Sequence, residues 1–333
     1  MGSAALIDHD SLDRERVPRL AHHVLSISDP DASIVFYREC LGMTLVEQLQ
    51  PRGRFGEEQR IFVGFAVGSE LHQDRGERVC GQPFTVLELL HHGSSHPATA
   101  YRPSKKDGYW KVGVTVADVD LARRRLERAG VDVTEPFQFL DIGYLCHLSD
   151  PDGYIIELLQ HDFEHNYRPS RSDPRHKLGS KPALGQITLR VKDPAVSLDF
   201  YQRLLGMRLL SRQVVKPHRF TLYFLASTGE QTPVADLDAV ENREWLWRRP
   251  YTTLELQHVW GTEHGSFEYQ QQTEGTTGFW GLGYVTPHLS TLLSKLESEA
   301  VPIEQPLGFD PGLLTNIAVV RDPDGVRVRL AEV

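Results

Sequence analysis

The 333-residue sequence contains only three cysteines, at positions 40, 80 and 146, and none of them belongs to a CxxC pair. An odd number of widely spaced cysteines argues against both a disulfide framework and a cysteine-rich metal site, and is typical of a reducing compartment. No apolar run approaches the roughly 18 residues that a membrane-spanning helix needs. Residues 1–10 also lack the basic and then apolar order of a signal peptide. We therefore expect a cytoplasmic protein.

Positive charge is also scarce, because 36 Lys and Arg residues stand against 45 Asp and Glu residues and give a formal net charge of −9. Nucleic acids and anionic membranes attract proteins that present a basic face. Neither is expected as a partner here, so the predicted partner is a small-molecule substrate.

The chain does contain an internal repeat. Residues 20–48 align without a gap with residues 184–212, and the block that begins at Gly108 matches the block that begins at Gly278. A self-match of this extent predicts one structural unit used several times. Since tandem duplication usually replaces a dimer interface, we expect a monomer.

Each repeated unit has the pattern of a strand, a helix and further strands. Apolar and polar residues alternate along 186–192, which predicts a strand with one face in the core. Asp193-Pro194 then supplies a helix N-cap and a first helical residue, and Gly206 stands where a left-handed C-cap glycine belongs. The same order recurs from Asp29 and from Asp118.

Alternating apolar residues, bounded by polar loops, predict additional strands at 60–67, 84–91, 219–226 and 252–259. The chain is therefore predicted to be an α+β protein of four βαβββ modules, at 18–93, 107–163, 183–262 and 277–333. These modules group into a first half, 18–163, a linker, 164–182, and a second half, 183–333.

Three sequence runs resemble one known family: LRVKDPAVSLDFYQRLLGM (189–207), TTLELQHVWGTE (252–263) and DPDGYIIELLQ (150–160). They are similar to glyoxalase I, or lactoylglutathione lyase, of the vicinal oxygen chelate superfamily in its tandem form. The resemblance implies two half-open barrels built from paired modules, the glyoxalase/bleomycin resistance/dioxygenase fold. It also implies a lyase that acts through an enediolate on a hemithioacetal or a related vicinal-dioxygen molecule.

The resemblance further implies one divalent metal ion. Zn²⁺ and Ni²⁺ are the first candidates, and Fe²⁺ and Mn²⁺ are the second. The resemblance does not decide whether glutathione is the co-substrate. In this family a module pair takes ligands from the first and last strands of each module. Carried over by position, the candidate metal ligands are His22, Glu88, Glu157, Gln186 and Glu255. The remaining ligand positions hold Lys111, Gly281 and Arg329, so one of the two sites is expected to be degenerate.

The sequence leaves two pairings of the modules open. If the outer modules pair and the inner modules pair, the sites are Gln186, Glu255, Glu157 and Lys111, and His22, Glu88, Gly281 and Arg329. If each half closes on itself, the sites are His22, Glu88, Lys111 and Glu157, and Gln186, Glu255, Gly281 and Arg329. In either case Arg329 is expected to pair with a glutamate in place of a metal.

Roles follow from the resemblance. Glu157 is the first candidate for the base that moves the proton, Glu255 is the second, and Lys111 is a candidate electrophile for the enediolate. His147 is expected to face the same cavity, as a replacement ligand or as a hydrogen-bonded wall residue. Arg190 stands at the family's glutathione-contacting arginine.

Other positions depart from the family's glutathione site, because Val259 replaces an expected asparagine and residues 137–143 lack the expected lysine. Two alternatives to the lyase therefore stay open. One is an extradiol-type dioxygenase, which needs two histidines and one glutamate on Fe²⁺. The other is a non-catalytic relative in which Lys111 pairs with Glu157 and the cavity only binds a ligand.

Overall fold

The computed structural model describes residues 17–50, 58–65, 79–93, 100–163, 176–272 and 276–333. Within these ranges the chain forms sixteen strands in two eight-stranded sheets, with a few short helices. The predicted α+β fold of four βαβββ modules is confirmed. The predicted linker falls partly outside the described residues, which resume at position 176.

The strands are β1 (Arg19–Ser26), β2 (Thr44–Leu49), β3 (Gln59–Gly64), β4 (Val86–His91), β5 (Tyr109–Val116), β6 (Phe137–Phe139), β7 (Gly143–Ser149), β8 (Ile155–Gln160), β9 (Ala183–Val191), β10 (Arg208–Val215), β11 (Phe220–Ala226), β12 (Thr253–Val259), β13 (Gly278–Thr286), β14 (Ile303–Asp310), β15 (Thr315–Arg321) and β16 (Arg327–Glu332). The helices are α1 (Pro30–Val35), α2 (Val119–Arg128), α3 (Pro194–Leu198), α4 (Glu241–Trp247) and α5 (Leu289–Ser298). Helices α1 and α3 continue into π-helical turns at Phe36–Cys40 and Asp199–Leu204, and Lys216–His218 is a 3₁₀ turn.

The sheets settle the pairing of the modules. One sheet has the order β14-β15-β16-β13-β1-β4-β3-β2, and we call it the outer sheet because it joins the first and fourth modules. The other, the inner sheet, has the order β10-β11-β12-β9-β5-β8-β7-β6 and joins the second and third modules. Antiparallel pairs β1/β13 and β5/β9 make the two junctions. Of the two pairings left open by the sequence, the outer-with-outer arrangement is the observed one.

The helices begin and end where local sequence signals place them. The Asp29 carboxylate caps α1 by accepting hydrogen bonds from the backbone N–H groups of Asp31 and Ala32, and Pro30 follows as the first helical residue. Asp118 caps α2 in the same way. Gly42 ends the first helical segment with a φ of +78°, a conformation that glycine adopts without the steric cost of a Cβ.

The largest hydrophobic core among the described residues lies between the sheets. One cluster of buried apolar side chains combines residues from both sheets and from the helical segments of all four modules. Two tyrosine hydroxyls connect this core to the two DPDG turns, at 150–153 and 322–325. Tyr37 donates to Asp150 at 2.9 Å and Tyr201 donates to Asp322 at 2.7 Å. The opposite face of each sheet is therefore free to curve around a cavity.

One helix replaces part of a predicted polar loop. Residues Glu241–Trp247 form α4, between β11 and β12. Trp247 is buried there and donates its indole N–H to the Ile142 carbonyl at 3.0 Å, which anchors the helix against the inner sheet. The loop prediction was wrong because tertiary contacts stabilise a helix too short to show a periodic pattern. Among the described residues, no helix combines the length and apolarity that crossing a membrane requires.

Candidate active site

The inner sheet encloses a cavity of about 270 Å³. Its walls are mostly aromatic and aliphatic, and they include Phe137, Phe139, Ile142, Leu145, Leu159, Phe220, Leu222, Phe224 and Trp247. Its polar lining residues are Lys111, His147, Glu157, Gln186, His218 and Glu255. An apolar pocket with a few converging polar groups is the usual form of a small-molecule site.

Four adjacent strands carry the central polar group. Lys111 lies on β5, Glu157 on β8, Gln186 on β9 and Glu255 on β12, which are neighbours in the order β12-β9-β5-β8. Gly113 stands in register with both Gln186 and Glu157. Because it has no side chain, the residues on its two sides meet, and Gln186 Nε2 donates to Glu157 Oε1 at 2.8 Å. The structure thus brings together the whole inner set expected from the sequence.

Lys111 is at the centre of this group. Its Nζ lies 2.5 Å from Glu157 Oε1 and 3.9 Å from Glu255 Oε2. The second oxygen of Glu157 is 3.1 Å from His147 Nε2, so both carboxylate oxygens of Glu157 are engaged. Glu255 has a looser environment, since Thr188 donates to its Oε2 at 2.6 Å and its Oε1 has no donor among the described residues.

The two carboxylates consequently differ in acidity. Burial alone would raise the pKa of Glu157, but the Lys111 ammonium and the His147 hydrogen bond lower it to about 2. Burial raises the pKa of Glu255; the Lys111 ammonium opposes that rise and the charge of Glu157 adds to it. A pair of carboxylates with pKa values pushed apart suits different tasks within one site.

The arrangement does not fit a divalent cation. The Lys111 ammonium stands against Glu157 where a shared metal would bind, and an ammonium has no lone pair with which to coordinate one. Gln186 presents its N–H to Glu157, while its Oε1, the atom that binds metals, is buried without a partner. Within the described part of the chain, no group of three or more His, Cys, Asp or Glu residues is placed to hold a metal. The metal-ligand roles of Gln186, Glu157 and Glu255 stay predictions.

The outer sheet holds the other expected set. Glu88 is bound by the guanidinium of Arg329, by Arg60 Nε at 2.7 Å, and lies 3.6 Å from His22 Nδ1. This is the glutamate pairing expected for Arg329. Burial raises the pKa of Glu88, but the two guanidiniums lower it to about 2. A Cβ at Gly281 would lie 2.4 Å from the Arg327 carbonyl oxygen, so no ligand side chain fits there. Glu88, Arg60 and Arg329 line a larger cavity, of about 960 Å³.

Arg190 lies outside the lining of the inner cavity. Its Nη1 donates to the carbonyl oxygens of Ser104 at 3.0 Å and Asp107 at 2.9 Å, and its Nε donates to Gln257 at 3.3 Å. These contacts fix loop 104–107 against β9. Its predicted part in substrate binding stays a prediction.

Sequence reasoning missed two tryptophans and two glycines. Lys111 Nζ lies 4.6 Å from the Trp110 ring centroid, and the Arg329 guanidinium carbon lies 5.2 Å from that of Trp280. Gly283 accommodates His22 as Gly113 accommodates Gln186, since an added Cβ at Gly283 would lie 2.8 Å from His22 Cβ. The signal was in the repeat, because both the tryptophans and the glycines occupy matching positions in the blocks from Gly108 and Gly278. Arg60 has no matching arginine in the repeat, so the sequence did not indicate its role.

Comparisons with known proteins agree with this architecture. A sequence model of the Glyoxalase/Bleomycin resistance protein/Dioxygenase superfamily matches residues 19–158 and 183–330. Glyoxalase I of Saccharomyces cerevisiae is 28% identical over 320 residues, which cover 93% of this chain and 91% of the yeast protein. A lactoylglutathione lyase of Pseudomonas aeruginosa is 41% identical over 145 residues, which cover 43% of this chain and 78% of that protein.

Solved structures show the same fold. The crystal structure of glyoxalase I from Zea mays superimposes with a TM-score of 0.68 at 23% identity, covering 97% of this chain and 95% of the maize chain. The family match spans both halves of the sequence and all four modules. The chain therefore belongs to the glyoxalase/bleomycin resistance protein/dioxygenase superfamily, and relatives that match nearly its whole length include proteins named glyoxalase I and lactoylglutathione lyase.

Proposed function

We propose that the protein is a glyoxalase I-like lyase that isomerises a small α-hydroxycarbonyl compound, such as a hemithioacetal, in the inner cavity. The observation that carries the proposal is the convergence of an ammonium, a carboxylate with a free oxygen and an unpartnered amide oxygen at the polar end of one apolar cavity. These are the atoms of Lys111, Glu255 and Gln186. The names of the relatives that match nearly the whole chain support the same reaction.

The reaction moves protons and conserves all atoms of the substrate. A base removes the proton from the carbon that bears the hydroxyl group, and the electron pair forms a double bond to the neighbouring carbonyl carbon. The carbonyl oxygen becomes the oxyanion of an enediolate. The carbon-bound proton then returns to the former carbonyl carbon, and the hydroxyl proton passes to the oxyanion on that carbon. The former hydroxyl oxygen thereby becomes the new carbonyl, so a hemithioacetal becomes a hydroxyacyl thioester.

Glu255 is the residue placed to act as this base. Its Oε1 has no hydrogen-bond donor in the described part of the chain, whereas Lys111, Gln186 and His147 occupy both oxygens of Glu157. A base needs a free lone pair within reach of the proton it abstracts. The geometry thus favours Glu255 over Glu157, the reverse of the order expected from the sequence, and it makes Glu157 the partner that holds Lys111.

Gln186 and His147 complete the proposed contacts with the substrate. The buried Oε1 of Gln186 is an acceptor without a donor, and the substrate hydroxyl would satisfy it. His147 is partly exposed at the cavity wall, where its ring meets both Glu157 and Phe137. It is therefore placed to contact the substrate as well as to fix Glu157.

The composition of the cavity walls supports a proposal about the substrate class. Phe137, Phe220 and Trp247 are among the aromatic side chains of the cavity, and no arginine stands in its described lining. A glutathione adduct carries two free carboxylates, which cationic partners normally recognise. We therefore propose a substrate with an apolar or aromatic substituent, and glutathione is only one of the thiols to be tested with it.

The experiment is a thioester-formation assay with methylglyoxal and phenylglyoxal, each mixed with glutathione or with an uncharged thiol. The wild type should turn over the phenylglyoxal adduct more efficiently, and Glu255→Gln should lose about 10²–10⁴-fold in kcat. Glu304→Gln, the same change in the outer cavity, should keep wild-type turnover. If the purified, folded wild type converted none of these adducts, the lyase proposal would be wrong.

The Lys111–Glu157 pair also favours a second candidate, a non-catalytic relative whose inner cavity binds a small apolar ligand. The two candidates share the cavity and differ in chemistry. Calorimetric binding of phenylglyoxal adducts without any product would support the binding protein.

We propose a monomer in the cytoplasm. The three cysteines, Cys40, Cys80 and Cys146, are all free thiols, as in a reducing compartment. Each sheet also obtains both of its modules from a single chain, so no second copy is needed to complete a cavity. Light scattering after size exclusion tests the monomer.

A further inference from the structure

We propose that Lys111 takes the place of the metal ion, so that the inner site works without a divalent cation and the Lys111 ammonium stabilises the enediolate oxyanion. The chemical part of this inference rests on the proposed lyase function. The exclusion of a metal ion from the inner site does not depend on the lyase function, and a separate experiment tests it.

The surroundings of Lys111 are those of a bound cation. The side chain is 5% exposed, and its Nζ faces Glu157 Oε1 at 2.5 Å and Glu255 Oε2 at 3.9 Å. The ring of Trp110 covers another side, with its centroid 4.6 Å from Nζ. Two buried carboxylates need a compensating charge, and the ammonium supplies it from within the chain.

A metal and this ammonium exclude each other. A transition-metal ion binds a carboxylate oxygen at about 2.0–2.2 Å. The Lys111 Nζ already stands 2.5 Å from Glu157 Oε1, the oxygen that Gln186 also contacts. An ion at that oxygen would therefore meet a like charge that has no lone pair to offer. For a metal to enter, Lys111 would have to leave a buried ion pair, which is strongly unfavourable because each charge would lose its compensating partner.

The ammonium can do the electrostatic part of the chemistry. Of its three N–H groups, Glu157 takes one, and the cavity gives the others access to a substrate oxygen. A fixed donor aimed at a developing oxyanion lowers the barrier to its formation. In this scheme the substrate proton passes to Glu255 and back, while Lys111 keeps all its protons. Glu157 and Trp110 are positioning residues that hold the ammonium.

The first experiment measures metal. Wild type, Lys111→His and Lys111→Met are incubated with Zn²⁺ or Ni²⁺, desalted, and analysed by mass spectrometry for metal per chain. Lys111→His adds an imidazole to the two glutamates and the glutamine, and it should retain close to one ion per chain. Wild type and the matched Lys111→Met control should retain almost none. One ion per chain in the wild type, or none in a folded Lys111→His, would overturn the inference.

The second experiment measures turnover of the phenylglyoxal–thiol adduct. Extended dialysis against a chelator should leave wild-type turnover unchanged, and Lys111→Met should lose about 10²–10³-fold in kcat, the usual loss for one oxyanion donor. Activity that a chelator removes and Zn²⁺ or Ni²⁺ restores would overturn the role of Lys111. If the wild type were inactive but metal-free, the lyase proposal and the role of Lys111 in it would both fail, and the exclusion of metal would stand. If it were active and held a metal, only this inference would fail.

Discussion

Arg329 and Glu88 are 241 positions apart in the sequence, and the Arg329 guanidinium donates to both carboxylate oxygens of Glu88. In the inner sheet Lys111 and Glu157 form the corresponding ion pair. In each sheet a basic side chain thus faces a glutamate at an expected ligand position, and it comes from the first strand of its module in the inner sheet and from the last strand in the outer sheet. Three glutamates stand at the expected ligand positions, Glu88 in the outer sheet and Glu157 and Glu255 in the inner sheet. Of these three, only Glu255 keeps an oxygen that has no donor among the described residues. This difference supports the proposal that the reaction takes place in the inner cavity.

Glu88→Gln should destabilise the fold. The substitution leaves the guanidiniums of Arg329 and Arg60 facing a neutral amide in a site where Glu88 is 1% exposed. Removing one partner of a buried ion pair costs about 3–5 kcal/mol. Urea unfolding measures the loss, and Asp238→Asn, which breaks a pair with Arg212 near the surface, should cost about 1 kcal/mol or less. Equal losses in the two variants would contradict the prediction.

The same pair predicts a dependence of stability on pH. Burial raises the pKa of Glu88, yet Arg329 and Arg60 hold it at about 2, below the ordinary 4.5. A carboxyl group whose pKa is lowered by folding contributes stability that is present above 4.5 and lost as the pH falls through about 2. The difference in unfolding free energy between wild type and Glu88→Gln should therefore narrow as the pH drops from 4.5. A difference that stays constant over this range would show that Glu88 is not held ionised.

The features that could be predicted from the sequence are those that residues close together in the chain determine, such as helix starts and strand faces. Asp29 and Asp118 mark helix starts because a capping carboxylate acts within three residues, and strand periodicity marks the faces of β9 and β12. The sequence left the module pairing open, because the β1/β13 and β5/β9 junctions join segments that are far apart in the chain. Arg60 was missed for the same reason. Its partner Glu88 lies on the neighbouring strand of the same module and its partner Asp310 lies in the fourth module, and nothing near Arg60 in the sequence indicates either one.

Gly113→Ala should disturb the inner site. An added Cβ would lie 2.2 Å from Cγ of Gln186, so Gln186 must move away from Glu157. Overpacking of this kind costs about 1–3 kcal/mol, and the displaced amide should also lower kcat. Thermal unfolding and the thioester assay measure the two effects. The matched control is Gly308→Ala, where the nearest atom to the new Cβ is 3.9 Å away. Wild-type stability and kcat in Gly113→Ala would contradict the packing argument.

Phe220→Ala should change substrate preference without changing the chemical step. Phe220 belongs to the aromatic wall of the inner cavity, whereas the polar group lies on other strands. The apolar contact of Phe220 is expected to stabilise the bound substrate and the transition state equally. Its loss therefore raises KM and leaves kcat unchanged. A partly buried aromatic contact is worth about 1–2 kcal/mol, or roughly five- to thirty-fold in KM for the phenylglyoxal adduct. The methylglyoxal adduct, which lacks the ring, should show a smaller rise. Phe309→Ala in the outer cavity is the control and should leave both KM values unchanged. A fall in kcat with unchanged KM would mean that the aromatic wall acts on the reacting atoms and not on the substituent.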